Sequence, residues 1–251
     1  MAVPRRLSGI ALTLVVAALT AAGCADRAPQ AQAVPEVGWL VADHSCAPDR
    51  VRAQADAVVR SGLRDVGFRE LFIDCNDEDR ARIDADSGVR ADLASLGLHV
   101  HPLPSAQRRT AVDAASATPS GLRTEVTRRV MRAEPLVVTG DLPAVPRGTV
   151  EMLRNPEIGE LVRDRRAAPG AEVNGDPETY SRAIGERGLL VSFTNTGPVG
   201  RDMSIPIADL GLAGDDVVPA REVWSGRRIK AEDGELTIRV GAGDAALLRI
   251  G

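Results

Sequence analysis

Gly38-Trp39-Leu40-Val41-Ala42 and Glu70-Leu71-Phe72-Ile73-Asp74 are two short apolar runs of strand length, and the stretch between them decides the fold. Asp49 opens that stretch, and Val51, Ala55, Val58, Val59, Leu63 and Val66 recur in it at helical spacing. Gly67 suits the C-terminal cap, where a residue without a Cβ adopts the left-handed conformation freely. Strand, amphipathic helix and strand make one βαβ unit. Asn76 to Gly88 follows as a charged run that lacks the glycine and the spacing of a calcium loop, and it reads as a solvated loop. Val89 to Leu96 reads as a short helix stopped at Gly97, and Leu98 to His101 as a third strand. Strands recurring about every 30 residues with helices between them are the pattern of a parallel α/β layer.

The pattern then breaks. Pro104 to Pro119 is rich in Ala, Ser and Thr and reads as a linker. Gly121 to Arg132 predicts a helix with Leu122, Val126 and Val130 on one face, Leu136 to Thr139 a strand, and Gly148 to Arg163 a helix interrupted at Pro156. From about Val173 the elements shorten. Leu189–Thr194, Met203–Ile207, Val217–Trp224, Glu235–Val240 and Ala245–Ile250 predict five strands separated by Gly, Asp and Pro, the signature of a small antiparallel sandwich.

The N-terminus has its own logic. Arg5 and Arg6 precede an apolar segment, Ile10 to Ala22, that is short for a bilayer span and ends in Ala21-Ala22-Gly23-Cys24. Small residues before a cysteine resemble a bacterial lipobox, with Cys24 as the lipidated residue; Ala21 stands where Leu is usual. Residues 1–23 are then a lipoprotein signal peptide and 24–36 a flexible tether rich in Ala, Pro and Gln. The alternative is an ordinary secretory signal cut nearby, after Ala31-Gln32-Ala33. Both place the chain outside the cytoplasm, anchored at the outer face of the membrane or secreted. Cys46 and Cys75 remain after Cys24, and a lone pair in an oxidising compartment most simply bonds to itself. Closing that loop of about 30 residues is worth roughly 3–4 kcal/mol. The net charge of −4 gives no basis for nucleic-acid binding.

Gly38-Trp39, Cys46 and Phe72-Ile73-Asp74-Cys75 together resemble the opening of glycoside hydrolase family 27, the α-galactosidases and melibiases. Ser87-Gly88-Val89, Leu93 and Gly97-Leu98 are similar to that family's next helix and strand. Leu122-Arg123-Thr124-Glu125, Ala133-Glu134-Pro135-Leu136-Val137-Val138-Thr139-Gly140-Asp141-Leu142 and Glu151-Met152-Leu153-Arg154-Asn155-Pro156 resemble its final barrel strand and flanking helices. Arg221-Glu222-Val223-Trp224-Ser225-Gly226 resembles a turn of its C-terminal β-domain. The resemblance implies an α/β fold: a partial (β/α) TIM-barrel-like layer over residues 37–164, then a C-terminal antiparallel β-sandwich over residues 173–251. It also implies the Cys46–Cys75 disulfide.

One departure governs the expected function. Between His101 and Gly121 there is no room for four βα units, and a closed eight-stranded barrel takes about 250 residues. The family's nucleophile, in a Lys-Tyr-Asp motif, and its acid/base Asp belong to that missing stretch. The single Lys, Lys230, and the single Tyr, Tyr180, lie far apart, so the motif does not exist here. Asp74 matches the second of two sugar-binding aspartates, with Ile73 in place of the first, and Asp141 matches a site-lining Asp.

The resemblance therefore predicts a glycosidase-like protein without its catalytic pair, binding carbohydrate or acting as a scaffold. Asp74, Asp141 and Trp39 are the candidate substrate-binding residues. The competing expectation is a weakly active glycosidase rebuilt on Asp74 and Asp141; the plainer one is that both cap loops. His99 and His101 share one face of a strand near Asp74, a geometry open to a metal, although scattered surface histidines are commoner and neither metal nor cofactor is expected. Gly241-Ala242-Gly243 precedes a strand and is no dinucleotide fingerprint. Trp224 is expected in the β-domain core.

Overall fold

The computed structural model describes residues 37–41, 47–103, 110–164, 168–186, 188–212 and 218–251. The signal and tether segments, Cys24, His44 and Cys46 lie outside these described residues.

Five parallel strands form the first layer: β1 (Val37–Val41), β2 (Glu70–Ile73), β3 (His99–Pro102), β4 (Val112–Asp113) and β5 (Leu136–Thr139). Their order is β3-β2-β1-β5-β4, so the last strands return to the far side of the first. Trp39 pairs with Leu71 on one side and Val138 on the other. Every residue of β1 is buried, as a central strand covered on both faces must be. Gly38 is required there: a Cβ would sit 2.6 Å from the Glu70 carbonyl and 2.5 Å from the Phe72 ring.

One face of this sheet carries Val37, Trp39, Val41, Leu71, Ile73, Leu136 and Val138 against the helices. Helix α1 (Pro48–Arg60) starts with Pro48 in its first turn and buries Val51, Ala55 and Val58. The sequence predicts one helix as far as Val66. The chain instead turns at Gly62, with φ of 77°, and makes a separate 3-10 turn over Arg64–Val66 ending at Gly67. Helix α2 (Asp77–Ala85) replaces the expected solvated loop. Its start is locally encoded: the Asn76 side chain accepts from the Asp79 N–H at 2.8 Å, and Asp77, Glu78 and Asp79 fill the first turn, where the helix dipole favours anions. Helix α3 (Ser87–Ser95) is capped by the Asp86 side chain and buries Val89 and Leu93.

Within the expected linker, Val112 and Asp113 form β4, which pairs with Val138 and Thr139. Helix α4 (Pro119–Arg132) then begins at the Thr118 cap and buries Leu122, Val126 and Val130 completely. Burying each such side chain is worth about 1.5–3 kcal/mol. Helices α5 (Arg147–Leu153) and α6 (Pro156–Val162) break where Pro156 was expected to break them.

The sandwich has more strands than the hydropathy pattern predicts. β6 (Ala171–Val173), β7 (Asp176–Ile184), β8 (Gly188–Asn195), β10 (Pro219–Glu222), β11 (Arg228–Lys230) and β13 (Asp244–Ile250) form an antiparallel sheet of order β11-β10-β13-β8-β7-β6. β9 (Arg201–Pro206) and β12 (Glu235–Val240) pair antiparallel and back it. Val191, Phe193, Ala246 and Leu248 from the large sheet meet Met203, Ile205, Leu236 and Ile238 from the pair. β7 escapes the pattern because Tyr180 and Arg182 stand where apolar residues would reveal it. The other face of the large sheet packs on the helical layer, with Ile184, Leu190, Val223 and Leu247 joining the first core. Residues Val34–Gly251 form one compact unit.

Polar contacts pin this seam. Arg123 grips Asp244 with two hydrogen bonds of 2.7 and 2.9 Å. The Trp224 indole N–H donates to Thr127 Oγ1 at 3.0 Å, so Trp224 lies half-buried at the seam. Arg182 is fully buried and donates to the Val130 and Leu161 carbonyls. Burial pushes its guanidinium below the usual arginine range, opposed by the nearby Asp164 carboxylate.

Candidate functional site

Ligand sites of parallel α/β layers form beyond the carboxyl ends of the strands. Asp74 directly follows β2, is half-buried, and its N–H approaches the Val41 carbonyl at 3.5 Å. Asp141 follows β5 and is exposed. The sheet places both residues at the same end of the layer, with β1 between their strands. Two inter-strand spacings put β2 and β5 about 10 Å apart. Retaining glycosidases hold their carboxyls roughly 5–5.5 Å apart and inverting ones roughly 6.5–9.5 Å.

The loop bearing Asp141 is built from below. Gln54, on the buried face of α1, donates its amide to Asp141 Oδ1 at 2.6 Å and accepts from the Leu142 N–H at 3.2 Å. Trp39 donates its indole N–H to the Gly140 carbonyl at 3.2 Å. The Trp39 ring is completely buried in the helix-side core, so it offers no surface to a ligand and acts on the loop through Gly140. Gly140 itself has φ of 136°, which a side chain would strain. Sequence reasoning missed Gln54. Its signal was a polar residue between Val51 and Val58, inside the apolar stripe of α1.

Asp113 was missed as well, because it lies in a segment that reads as linker. It ends β4 beside Thr139, and its carboxylate accepts from Ser116 Oγ at 2.6 Å and the Ala115 N–H at 2.9 Å. The Ser116 hydroxyl chiefly holds the Asp113 carboxyl below the usual carboxylate range; burial opposes it, and the Ala115 and Ser116 N–H groups add to it. Those bonds turn Asp113 onto its own loop.

His101 Nε2 lies 2.8 Å from Glu70 Oε2 and its ring packs on Phe72 at a centroid separation of 6.2 Å. Among the described residues no group of three or more His, Cys, Asp or Glu side chains could hold a metal ion. Cys75 packs half-buried against the helix-side core.

Comparison with known proteins converges on one group. Residues 174–250 match the alpha galactosidase C-terminal beta sandwich domain. The chain is 28% identical over 92 residues to alpha-galactosidase 2 of Arabidopsis thaliana, covering 36% of this chain and 23% of that protein. It is 25% identical over 115 residues to the alpha-galactosidase of Coffea arabica, covering 45% and 30%. It thus spans under a third of the length of these curated relatives. Alpha-galactosidase I from Mortierella vinacea has the same fold, with a TM-score of 0.69 at 11% identity over 86% of this chain and 96% of that one. The Saccharomyces cerevisiae enzyme, solved with raffinose, gives 0.64 at 10% identity over 86% and 97%.

The fold is that of the α-galactosidases, a barrel-type parallel layer followed by a C-terminal β-sandwich. The chain is a relative of glycoside hydrolase family 27 that carries its C-terminal β-domain behind five parallel strands.

Proposed function

We propose that this chain is a lipid-anchored, extracytoplasmic carbohydrate-binding or scaffold protein that does not hydrolyse glycosides. One observation carries this reading: the parallel sheet runs directly from β3 to β4, with only residues 103–111 between them. Even one βαβ crossover takes about 10–12 residues or more, so the strands that would bring a nucleophile and an acid/base have no place in the chain. The surviving carboxylates do not replace them. Asp74 and Asp141 stem from strands about 10 Å apart, wider than a retaining pair needs. Asp141 Oδ1 is held by Gln54, and Asp113 is committed to its own turn. These same groups suit binding, since a carboxylate fixed on a rigid loop accepts hydrogen bonds from sugar hydroxyls at little ordering cost.

Affinity chromatography of the purified chain over immobilised galactosides tests the binding half of the reading. Retention that free galactoside elutes is the expected result; passage with the void volume would contradict it. Anchoring is tested by Cys24→Ser, which should move the protein from membranes to the soluble fraction. Non-reducing peptide mapping should join Cys46 to Cys75; free thiols on both would undercut the alignment with the family.

A further inference from the structure

We infer that the seam between α4 and the sandwich holds a binding site for one neutral pyranose unit. A cavity of about 210 Å³ opens there, walled by Met131 of α4, by Pro177 and Tyr180 of β7, and by Ser192 and Thr194 of β8. Its size is below the roughly 300–1,000 Å³ of sites for drug-sized ligands, which points to a single ring.

The walls match a pyranose, which has an apolar face and a rim of hydroxyls. Met131, Pro177 and the Tyr180 ring supply apolar surface. The Tyr180 hydroxyl donates to Glu172 Oε1 at 2.9 Å, which fixes the orientation of the ring. Ser192, 3% exposed, and Thr194 add hydroxyls to the wall. Both lie on the sheet face turned towards α4, because Leu190 of the same alternation packs in the helix-side core. A hydroxyl both donates and accepts, so each can bond a hydroxyl on the rim of a sugar ring. An anion is disfavoured, since Arg128 at the cavity wall is held by Glu125 at 2.7 Å and Arg132 is paired with Glu134.

The inference rests on the carbohydrate-binding reading above but places the ligand on the sandwich side, away from Asp74 and Asp141. The chain has four methionines, so methyl NMR of the methyl-labelled full-length chain in detergent separates the two ideas. The probes are methyl α-galactoside, methyl α-glucoside, methyl α-mannoside and methyl β-arabinopyranoside. With at least one probe, the Met131 signal, assigned through Met131→Leu, should shift saturably while those of Met152 and Met203 stay. The double variant Ser192→Val, Thr194→Val should weaken that binding about tenfold, and Asp74→Asn with Asp141→Asn should leave it unchanged. If Met131 stays still while the protein is retained on a galactoside column, the seam site is wrong and the broader reading stands. If neither signal nor retention appears, both fall. A Met131 shift produced only by galacturonate or phosphate would overturn the neutral-ligand assignment.

Discussion

The sandwich and the parallel sheet of this chain bury comparable apolar strands, yet they end differently. In the sandwich the large sheet is backed by β9 and β12, and one core closes between the two layers. The parallel sheet is fully packed on its helix side, but its other face gathers a small cluster, Leu40, Phe72, Leu103 and Val137, and its order stops at β3 and β4. The sandwich closes a core between two layers, whereas the parallel layer is a single five-stranded sheet. The seam and the sandwich hold a five-stranded parallel sheet in place.

The comparison is sharpened first by two phenylalanines. Phe193→Ala, in the closed sandwich core, should cost about 3–5 kcal/mol. Phe72→Ala, in the smaller cluster, should cost less, because a site with fewer rigid neighbours collapses more readily around the void. Urea unfolding monitored by circular dichroism measures both, and the reverse ranking would break the comparison. Arg182→Ala, which cuts the seam clamp to the ends of α4 and α6, should cost about 2–3 kcal/mol. Arg182→Lys should not restore it, since an ammonium cannot span both carbonyls in the guanidinium geometry. Gln54→Ala should cost about 1–3 kcal/mol by leaving the Leu142 N–H unpaired, and hydrogen exchange should then quicken in the Gly140–Leu142 loop.

The smallest effects are acid-sensitive and occur once in each region. Asp113 in the parallel layer is held below its ordinary range chiefly by the Ser116 hydroxyl, and Glu178 in the sandwich chiefly by that of Thr196. A carboxyl depressed in the folded state contributes stability that is complete above its unfolded value, about 3.9 for Asp and 4.3 for Glu, and is lost as pH falls through the lower folded value. Stability curves of Asp113→Asn and Glu178→Gln should therefore lie below wild type near neutrality and converge with it below about pH 4. A gap that persists into acid would mean that the hydrogen bonds act independently of charge.

Much of this architecture was legible in the sequence where apolar spacing and punctuation agree. Gly38–Ala42, Glu70–Asp74 and Leu136–Thr139 mark strands, and Leu122, Val126 and Val130 mark the face of α4. α2 stayed hidden because it buries only Ile83, so its evidence lay in the Asn76 cap rather than in periodicity. β4 is two residues long and exists through its pairing with β5, which no local window can reveal. β7 was masked by Arg182, whose buried charge is received by two helix-end carbonyls and favoured by the nearby Asp164 carboxylate. Of the candidate site, Asp74 and Asp141 were visible as residues following strands. Gln54 reaches Asp141 across a separation of 87 in the sequence, a contact set by the packing of α1 alone.

The central claim is that a five-stranded layer without the missing strands has no glycosidase chemistry. Its most direct test is hydrolysis of an aryl α-galactoside by the purified chain beside Asp74→Asn and Asp141→Asn. The account predicts release of aryl alcohol no faster than in buffer for all three proteins. Wild-type turnover that both substitutions abolish would show a rebuilt active site at the ends of β2 and β5 and would contradict it.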